Sequence, residues 1–122
     1  MILCGDFNAF QFPDGYNDLI GTLKGKPSPN VVSPSKTIFN TGLIDLVDTN
    51  QKQNQYSYVR DGNAQVLDHI LINEPAFKNA VRFTYARVDA DFPVSYYNDT
   101  NRPERLSDHD GAILYLTMND KK

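Results

Sequence analysis

Two β-prone runs joined by a short turn constrain the fold of this chain more than any other feature. Tyr and Val recur in Gln55–Arg60, aliphatic residues dominate Gln65–Ile72, and Asp61-Gly62-Asn63-Ala64 lies between the two runs. Glycine beside Asp and Asn accommodates the positive φ angles that tight hairpin turns require. We therefore predict a β-hairpin in the middle of the chain.

Apolar segments on both sides of the hairpin predict further strands and short helices. In chain order we expect a buried strand at Met1–Cys4 that can extend to Asn8, and a helix from an Asp14 cap to Lys24, where Gly25 stops it. We then expect a helix within Ser35–Val47, a helical turn or two at Pro75–Ala80, and strands at Val81–Val88 and Gly111–Met118. Residues 26–35 and 89–107 are predicted as loops. This order predicts an α/β (α+β) fold with mixed or antiparallel strands.

Length and composition limit the class of protein. The 122 residues are enough for one domain of ordinary size, and 40% of them are hydrophobic. The net charge of -3 disfavours a protein that coats nucleic acid by charge alone. A single cysteine excludes an internal disulfide and a multi-cysteine zinc site. We expect no membrane span and find no signal peptide in the first residues, so the sequence leaves the localisation unknown.

Asp68 is the most informative polar residue in the predicted strands. In a strand it shares a face with Val66, Ile70 and Ile72, and burying a carboxylate there is unfavourable unless it is paired, hydrogen-bonded or metal-bound. The alternative is that the strand's register brings Asp68 to the sheet edge. His69 lies on the opposite face, where a hydrogen-bonded packing role is the favoured interpretation.

Two further segments place polar groups where apolar strands begin or end. Asp6 and Asn8 follow the first strand on one face, where they form either an ordinary turn or a pair of an oxygen ligand and an amide donor. Asp108 and His109 precede the last strand, as a polar strand entry, a catalytic base or a metal site. Three separate segments thus each bring a carboxylate to an apolar strand.

The motifs GDFN at 5–8, LDHIL at 67–71 and SDH at 107–109 occur in that order. In this respect the chain resembles the C-terminal half of the endonuclease/exonuclease/phosphatase superfamily, which has the fold of deoxyribonuclease I. The flanking sequences GDFNAFQFPDGY and RPERLSDHDG resemble its bacterial extracellular-nuclease-like branch. The resemblance implies the C-terminal half of a two-sheet β-sandwich flanked by helices, an extracellular or periplasmic location, and a single partial domain over residues 1–122.

The resemblance implies metal-dependent hydrolysis of a phosphate ester. Asp6 would orient the attacking water or a metal, and Asn8 would contact the phosphate. Asp108 would be associated with the metal, His109 would contact the phosphate or transfer a proton, and Asp68 would hold the tautomer of His109. The implied cation is Mg²⁺ or Mn²⁺, with Ca²⁺ as a further candidate, and oxygen-only ligands suit all three.

Loop residues supply candidate substrate contacts. Arg102 and Arg105 precede the SDH motif and either contact phosphate or remain solvated charges. Phe92, Tyr96 and Tyr97 either pack the 89–107 loop or offer a surface on which a nucleic-acid base stacks. The substrate class is otherwise open between DNA, RNA, phosphoinositide and sphingomyelin.

The family's first half normally contributes a metal-binding Glu, and neither Glu74 nor Glu104 has the context to replace it. We therefore expect the isolated chain to be inactive and the full domain to be the hydrolase. Pairing with the missing half, or a homodimer, would restore a second sheet, because one layer buries only one of its faces. The alternative is a non-catalytic interaction module or remnant that keeps the fold and self-associates.

Overall fold

A computed structural model describes residues 1–37 and 41–118, and every strand pairing in these ranges is antiparallel. The strands are β1 Ile2–Asp6, β2 Ile44–Asp45, β3 Tyr58–Arg60, β4 Asn63–Gln65, β5 Asp68–Ile72, β6 Ala80–Tyr85 and β7 Ala112–Leu116, and the α-helices are α1 Leu19–Leu23 and α2 Glu74–Phe77. Short 3₁₀ helices lie at Leu46–Thr49, Lys52–Asn54 and Val94–Tyr96. The protein is a mixed α and β fold with few helices, and no helix in the described ranges has the length and apolar character to cross a membrane.

Strand β5 is the centre of a three-stranded sheet with the order β1-β5-β2. Because side chains alternate along a strand, β5 contributes to two separate cores. Ile70 and Ile72 pack with Phe83 and Tyr85 in one cluster, and Leu71 packs with α1 and the segment before β2 in the other. Packing on both faces buries His69 to Ile72 and makes β5 the best buried strand of the described part of the chain.

The predicted hairpin is confirmed, but it is shorter than predicted. Strands β3 and β4 are joined by Asp61 and Gly62, whose φ angles of 50° and 78° are those of a two-residue hairpin turn. The second predicted run divides in two because Leu67 and Asp68 donate their backbone N–H groups to the Ser57 hydroxyl instead of continuing the ladder. Strand β5 then pairs with β1 and β2.

The last two predicted strands form a two-stranded sheet, β6 with β7. The long loop between them occupies 89–107 as predicted, with only the 3₁₀ turn at Val94–Tyr96 in it. The predicted helical turn after β5 is α2, which is capped by the Asn73 side chain. Loop 26–35 is irregular as expected.

The expected helix from Asp14 begins later than predicted. The Asp14 carboxylate accepts hydrogen bonds from the backbone of Tyr16 and Asn17, which forms a turn, and Gly15 has a φ of 90°. Asp18 is the actual N-cap and accepts from the backbone N–H of Gly21. A side chain that bonds its own local backbone competes with helix formation, and this accounts for the shift.

Two other predictions need correction. The prediction of a helix over Ser35–Val47 is wrong for the described part, where β2 and a 3₁₀ helix occupy residues 44–49; residues 38–40 lie outside the described residues. Pairing of β2 with β5 outweighs the local helical pattern. The first strand forms, but it is exposed rather than buried, since β1 pairs only with β5 and neither core cluster includes Ile2 or Leu3.

Candidate active site

Two carboxylates face each other where β1 and β5 pair. Asp6 ends β1, Asp68 begins β5, and the two residues are direct partners in the antiparallel register. Directly opposed residues project their side chains from the same face with Cβ atoms about 5 Å apart. Like charges in that arrangement repel, so the pair requires a positive group or a hydrogen-bond donor between or beside the two carboxylates.

His109 supplies such a donor. Its Nδ1 lies 2.7 Å from Asp68 Oδ2, and one ligand atom from each of Asp6, Asp68 and His109 lies within 4.8 Å of the others. An ionised carboxylate only accepts hydrogen bonds, so Nδ1 carries the proton and Nε2 is left for other partners. The structure therefore brings together three of the predicted site residues, which come from three separate segments of the sequence.

Asn8 completes the turn that follows Asp6. Its backbone N–H donates to Asp6 Oδ1 at 2.8 Å and its side-chain amide donates to Asp6 Oδ2 at 3.3 Å. The φ angle of Asn8 is 48°, in the left-handed region that Asn tolerates better than most residues. These bonds orient the Asp6 carboxylate, and they place the amide of Asn8 beside the carboxylate pair.

Ser57, for which no sequence pattern predicts a role, links Asp68 to the residue that follows His109. It is fully buried, its hydroxyl accepts from the backbone N–H of Asp68, and its carbonyl accepts from the backbone N–H of Asp110. The Tyr58 ring lies 4.6 Å from the His109 ring, and Ser107 Oγ accepts from the His109 backbone. The hairpin thus fixes the position of His109 relative to β5.

Asp110 is a second residue that sequence reasoning missed. It is fully buried, and its Oδ1 accepts the backbone N–H groups of residues 88, 89 and 90. Its Oδ2 pairs with Arg87 at 2.8 Å, and the Arg87 guanidinium lies 3.5 Å from the centroid of the Tyr56 ring. This network fastens the start of the long loop next to His109. Adjacency to the SDH motif was the only sequence signal for it.

The sequence interpretation of His69 as a packing residue is confirmed. The imidazole is fully buried, with Nδ1 2.8 Å from Asp45 Oδ2 and Nε2 2.8 Å from the carbonyl oxygen of Ala9. The bond to Ala9 ties the chain just after Asn8 to β5. His69 therefore supports the Asp6–Asn8 turn from the opposite face of the sheet.

The remaining predicted residues lie apart from the carboxylate pair or point elsewhere. Asp108 is exposed and has no hydrogen-bond partner among the described residues. Arg102 pairs with Asp99 at 3.3 Å and stacks on Tyr96, both within the long loop. Arg105 is buried and donates to the carbonyl oxygens of Asp89 and Ala90.

Tyr85 supports the site through a hydrogen bond to the backbone of Asp68. Its hydroxyl donates to the backbone carbonyl of Asp68 at 2.6 Å, at the point where β5 begins. Burial raises the pKa of Tyr85, and the nearby Asp45 and Asp68 carboxylates raise its pKa further. The phenol therefore stays neutral and keeps donating well into the alkaline range.

The donors of the site fit a hard divalent cation. Asp6 is exposed and offers carboxylate oxygens, and Asp68 retains a second oxygen beside the one that His109 uses, whereas Asp108, which the resemblance associates with the metal, is not in this cluster. Carboxylate oxygens are the ligands of Mg²⁺, Mn²⁺ and Ca²⁺. Because Nδ1 of His109 is engaged by Asp68, Nε2 is the nitrogen left to accept a proton or to bind the metal, as in carboxylate–histidine–metal arrangements.

Comparison with known proteins adds no assignment: no family model, no curated protein and no solved structure matches this chain. The site is therefore interpreted from its own geometry and from the sequence motifs.

Proposed function

We propose that this chain carries part of the active site of a metal-dependent phosphoesterase that hydrolyses phosphodiesters in the manner of a nuclease. The observation that carries the proposal is the opposed pair Asp6 and Asp68 with the His109 imidazole bonded to one of them. Opposed carboxylates at the end of a strand pair are unfavourable for stability alone, which favours a functional reason for keeping them.

The chain's own residues have distinct roles in this proposal. With its proton on Nδ1, His109 presents Nε2 as the acceptor for a proton from water, whose oxygen bonds to phosphorus as the bond to the leaving oxygen breaks. Asp68 fixes the ring and stabilises the positive charge that it gains. Asp6 orients the water, and the amide of Asn8 donates to a phosphate oxygen.

Asp6 and the second carboxylate oxygen of Asp68 would hold the proposed Mg²⁺ or Mn²⁺. A bound cation neutralises negative charge on the phosphate and on the transition state. Such local charge neutralisation accounts for how a chain of net charge -3 can hold a phosphodiester without a basic surface. It also relieves the repulsion between the facing carboxylates.

We further propose that the active enzyme is larger than these described residues. The β1–β5–β2 and β6–β7 sheets would form the C-terminal half of a two-sheet sandwich, and the other half, or a second copy of the chain, would complete the metal site. Glu74 and Glu104 are not in the carboxylate cluster, so the described residues offer no glutamate to it. The isolated chain is then expected to show negligible turnover.

A second candidate function is a non-catalytic interaction module. The exposed side chains of Ile2 and Leu3 favour it, because β1 is an edge strand that presents apolar groups and unpaired backbone groups to a partner. Light scattering at high micromolar concentration, together with a phosphodiesterase assay, distinguishes the two: a stable dimer without turnover supports the module, and a clean monomer counts against it.

Phosphate binding tests the hydrolase proposal on the chain itself. In NMR spectra, inorganic phosphate should shift the His109 ring signals when Mg²⁺ is present and much less without it. Asp6→Asn should remove the dependence on Mg²⁺, whereas Asp48→Asn, which changes an exposed carboxylate paired with Lys24, should not. Equal shifts with and without Mg²⁺ would contradict the proposal.

Hydrolysis of bis-p-nitrophenyl phosphate in Mn²⁺ tests the incompleteness of the site. Turnover is expected to be at background for the isolated chain. Strong turnover that is lost in His109→Ala would show that the chain assembles a complete site by itself or as a dimer.

A further inference from the structure

A cavity between the hairpin and the long loop borders the proposed active site. It has a volume of about 400 Å³ and lies between the β3 strand and the long loop that precedes His109. Its lining residues are Tyr58, Val59, Arg60, Asp61, Val94, Tyr97, Arg105 and Asp108. The volume is in the range of small-molecule binding sites, and we call this the hairpin cavity.

Two lining residues of the hairpin cavity adjoin His109. Tyr58 lines the cavity and its ring lies 4.6 Å from the imidazole, while Asp108 lines the cavity and directly precedes His109 in the chain. A group in the cavity would therefore lie next to a phosphate held at His109. This is where the part of the substrate adjoining the scissile phosphate would be bound.

The lining fits an uncharged aromatic ring with polar edges. Tyr58, Tyr97 and two valines offer surfaces for the faces of a ring, and stacking on tyrosine does not depend on the identity of a base. Arg60 and Arg105 are cationic donors, whereas Asp61 and Asp108 are anionic acceptors, so the charges balance. Two guanidinium groups in the wall disfavour a quaternary ammonium headgroup, which would otherwise suit tyrosines and carboxylates.

Arg105 is the buried cation of the cavity wall. The residue is only 6% exposed, two loop carbonyls accept from its Nη1, and its Nε is enclosed by protein without a hydrogen-bond partner among the described residues. A buried donor without a partner is uncommon in folded proteins. The guanidinium group brings a positive charge to the wall of the hairpin cavity, which favours a ligand with acceptor atoms.

We propose that the hairpin cavity binds the nucleobase next to the scissile phosphate. The proposal rests on the proposed function for its account of the neighbouring phosphate, and it names the substrate class as nucleotides or single-stranded nucleic acid. Tyr97, which is half-exposed in the long loop, is the residue on which the base would stack.

The test is an NMR titration of the intact chain with thymidine, thymidine 5′-monophosphate and ribose 5-phosphate, without metal. Thymidine and the nucleotide should shift the signals of the cavity residues, and ribose 5-phosphate should not. Tyr97→Ala should weaken binding of the nucleotide about tenfold. Tyr16→Ala, which changes an exposed tyrosine outside the cavity, should leave binding unchanged.

The outcomes separate this proposal from the proposed function. Equal shifts with ribose 5-phosphate, or full binding by Tyr97→Ala, would overturn the base-binding proposal even if phosphate binding at His109 depends on Mg²⁺. Base binding at the cavity without a Mg²⁺-dependent effect of phosphate on His109 would support this proposal and contradict the proposed hydrolase function. Tighter binding of a four-residue thymidine oligonucleotide would assign the site to single strands, and equal binding would assign it to mononucleotides.

Discussion

At the scale of single residues, the site is organised by bonds that fix direction as well as distance. The Asp68 carboxylate is fixed by its bond to His109, and the Asp68 backbone is held on one side by Ser57 and on the other by Tyr85. A side chain whose support comes from three different segments has little freedom to rotate. This preorganisation is what proton transfer at His109 would require.

The sequence identifies Asp6, Asp68 and His109 as candidates: the period of a strand places the two carboxylates at apolar strands but leaves structural alternatives open, and the three ordered motifs, through the resemblance that they carry, imply the roles. It is not sufficient for Ser57 or Asp110. Their roles depend on backbone groups 10 to 53 residues away in the chain, since Ser57 binds both Leu67 and Asp110, and local sequence patterns contain no information about those partners. The hydrogen-bond partners of such buried polar residues are determined by the tertiary structure and can be identified only from it.

The buried His69–Asp45 pair supports a stability prediction. His69→Phe keeps a ring of similar shape but leaves the Asp45 carboxylate buried without its partner, so we expect a loss of about 3–5 kcal/mol in the free energy of unfolding. Urea denaturation measures this loss.

The matched control is Asp48→Ala, because Asp48 forms an exposed ion pair with Lys24. Exposed pairs contribute less than about 1 kcal/mol. A His69→Phe variant that is as stable as this control would show that the buried pair is not required for folding.

At the scale of elements, the β3–β4 hairpin carries Tyr58 to both His109 and the hairpin cavity. Its two-residue turn depends on positive φ angles at Asp61 and Gly62. The sequence predicts this turn well since the requirement is local. The prediction of a helix over Ser35–Val47 is wrong because the competing structure is not local: strand β2 forms its hydrogen bonds with β5, which is distant in sequence.

Gly62→Ala tests the turn. Gly62 has a φ of 78°, which alanine adopts only with strain, so we expect a loss of about 1 kcal/mol in unfolding free energy. Gly111→Ala is the control, because a Cβ there meets nothing within 4 Å and the backbone conformation is one that other residues adopt. Equal stability of the two variants would contradict the role given to the turn.

At the scale of the whole molecule, stability and the site are coupled through Tyr85, which is part of the main core and donates to Asp68. Burial raises its pKa above the ordinary value of 10.0. Below about pH 10 the phenol is protonated in both the folded and the unfolded chain, so its contribution is complete. Above that pH the unfolded chain loses the proton first, and stability falls as the pH rises.

We therefore expect the free energy of unfolding to decrease by up to about 1.4 kcal/mol per pH unit above pH 10 on account of Tyr85. In Tyr85→Phe this part of the decrease should disappear, although the variant loses the bond to Asp68 at every pH. Urea unfolding between about pH 8 and 11 gives both slopes. Identical slopes in the two proteins would show that Tyr85 does not titrate differently in the folded state.

The most direct test of the central claim is the location of a bound cation. Small additions of Mn²⁺ to the ¹⁵N-labelled chain should broaden the backbone NMR signals of residues 5–8, 68–69 and 108–110 before any others, and Asp6→Asn should abolish this selective broadening. If the broadening is uniform, or centres on Asp14 and Asp18, or persists in Asp6→Asn, then Asp6, Asp68 and His109 do not form a metal-dependent phosphate site.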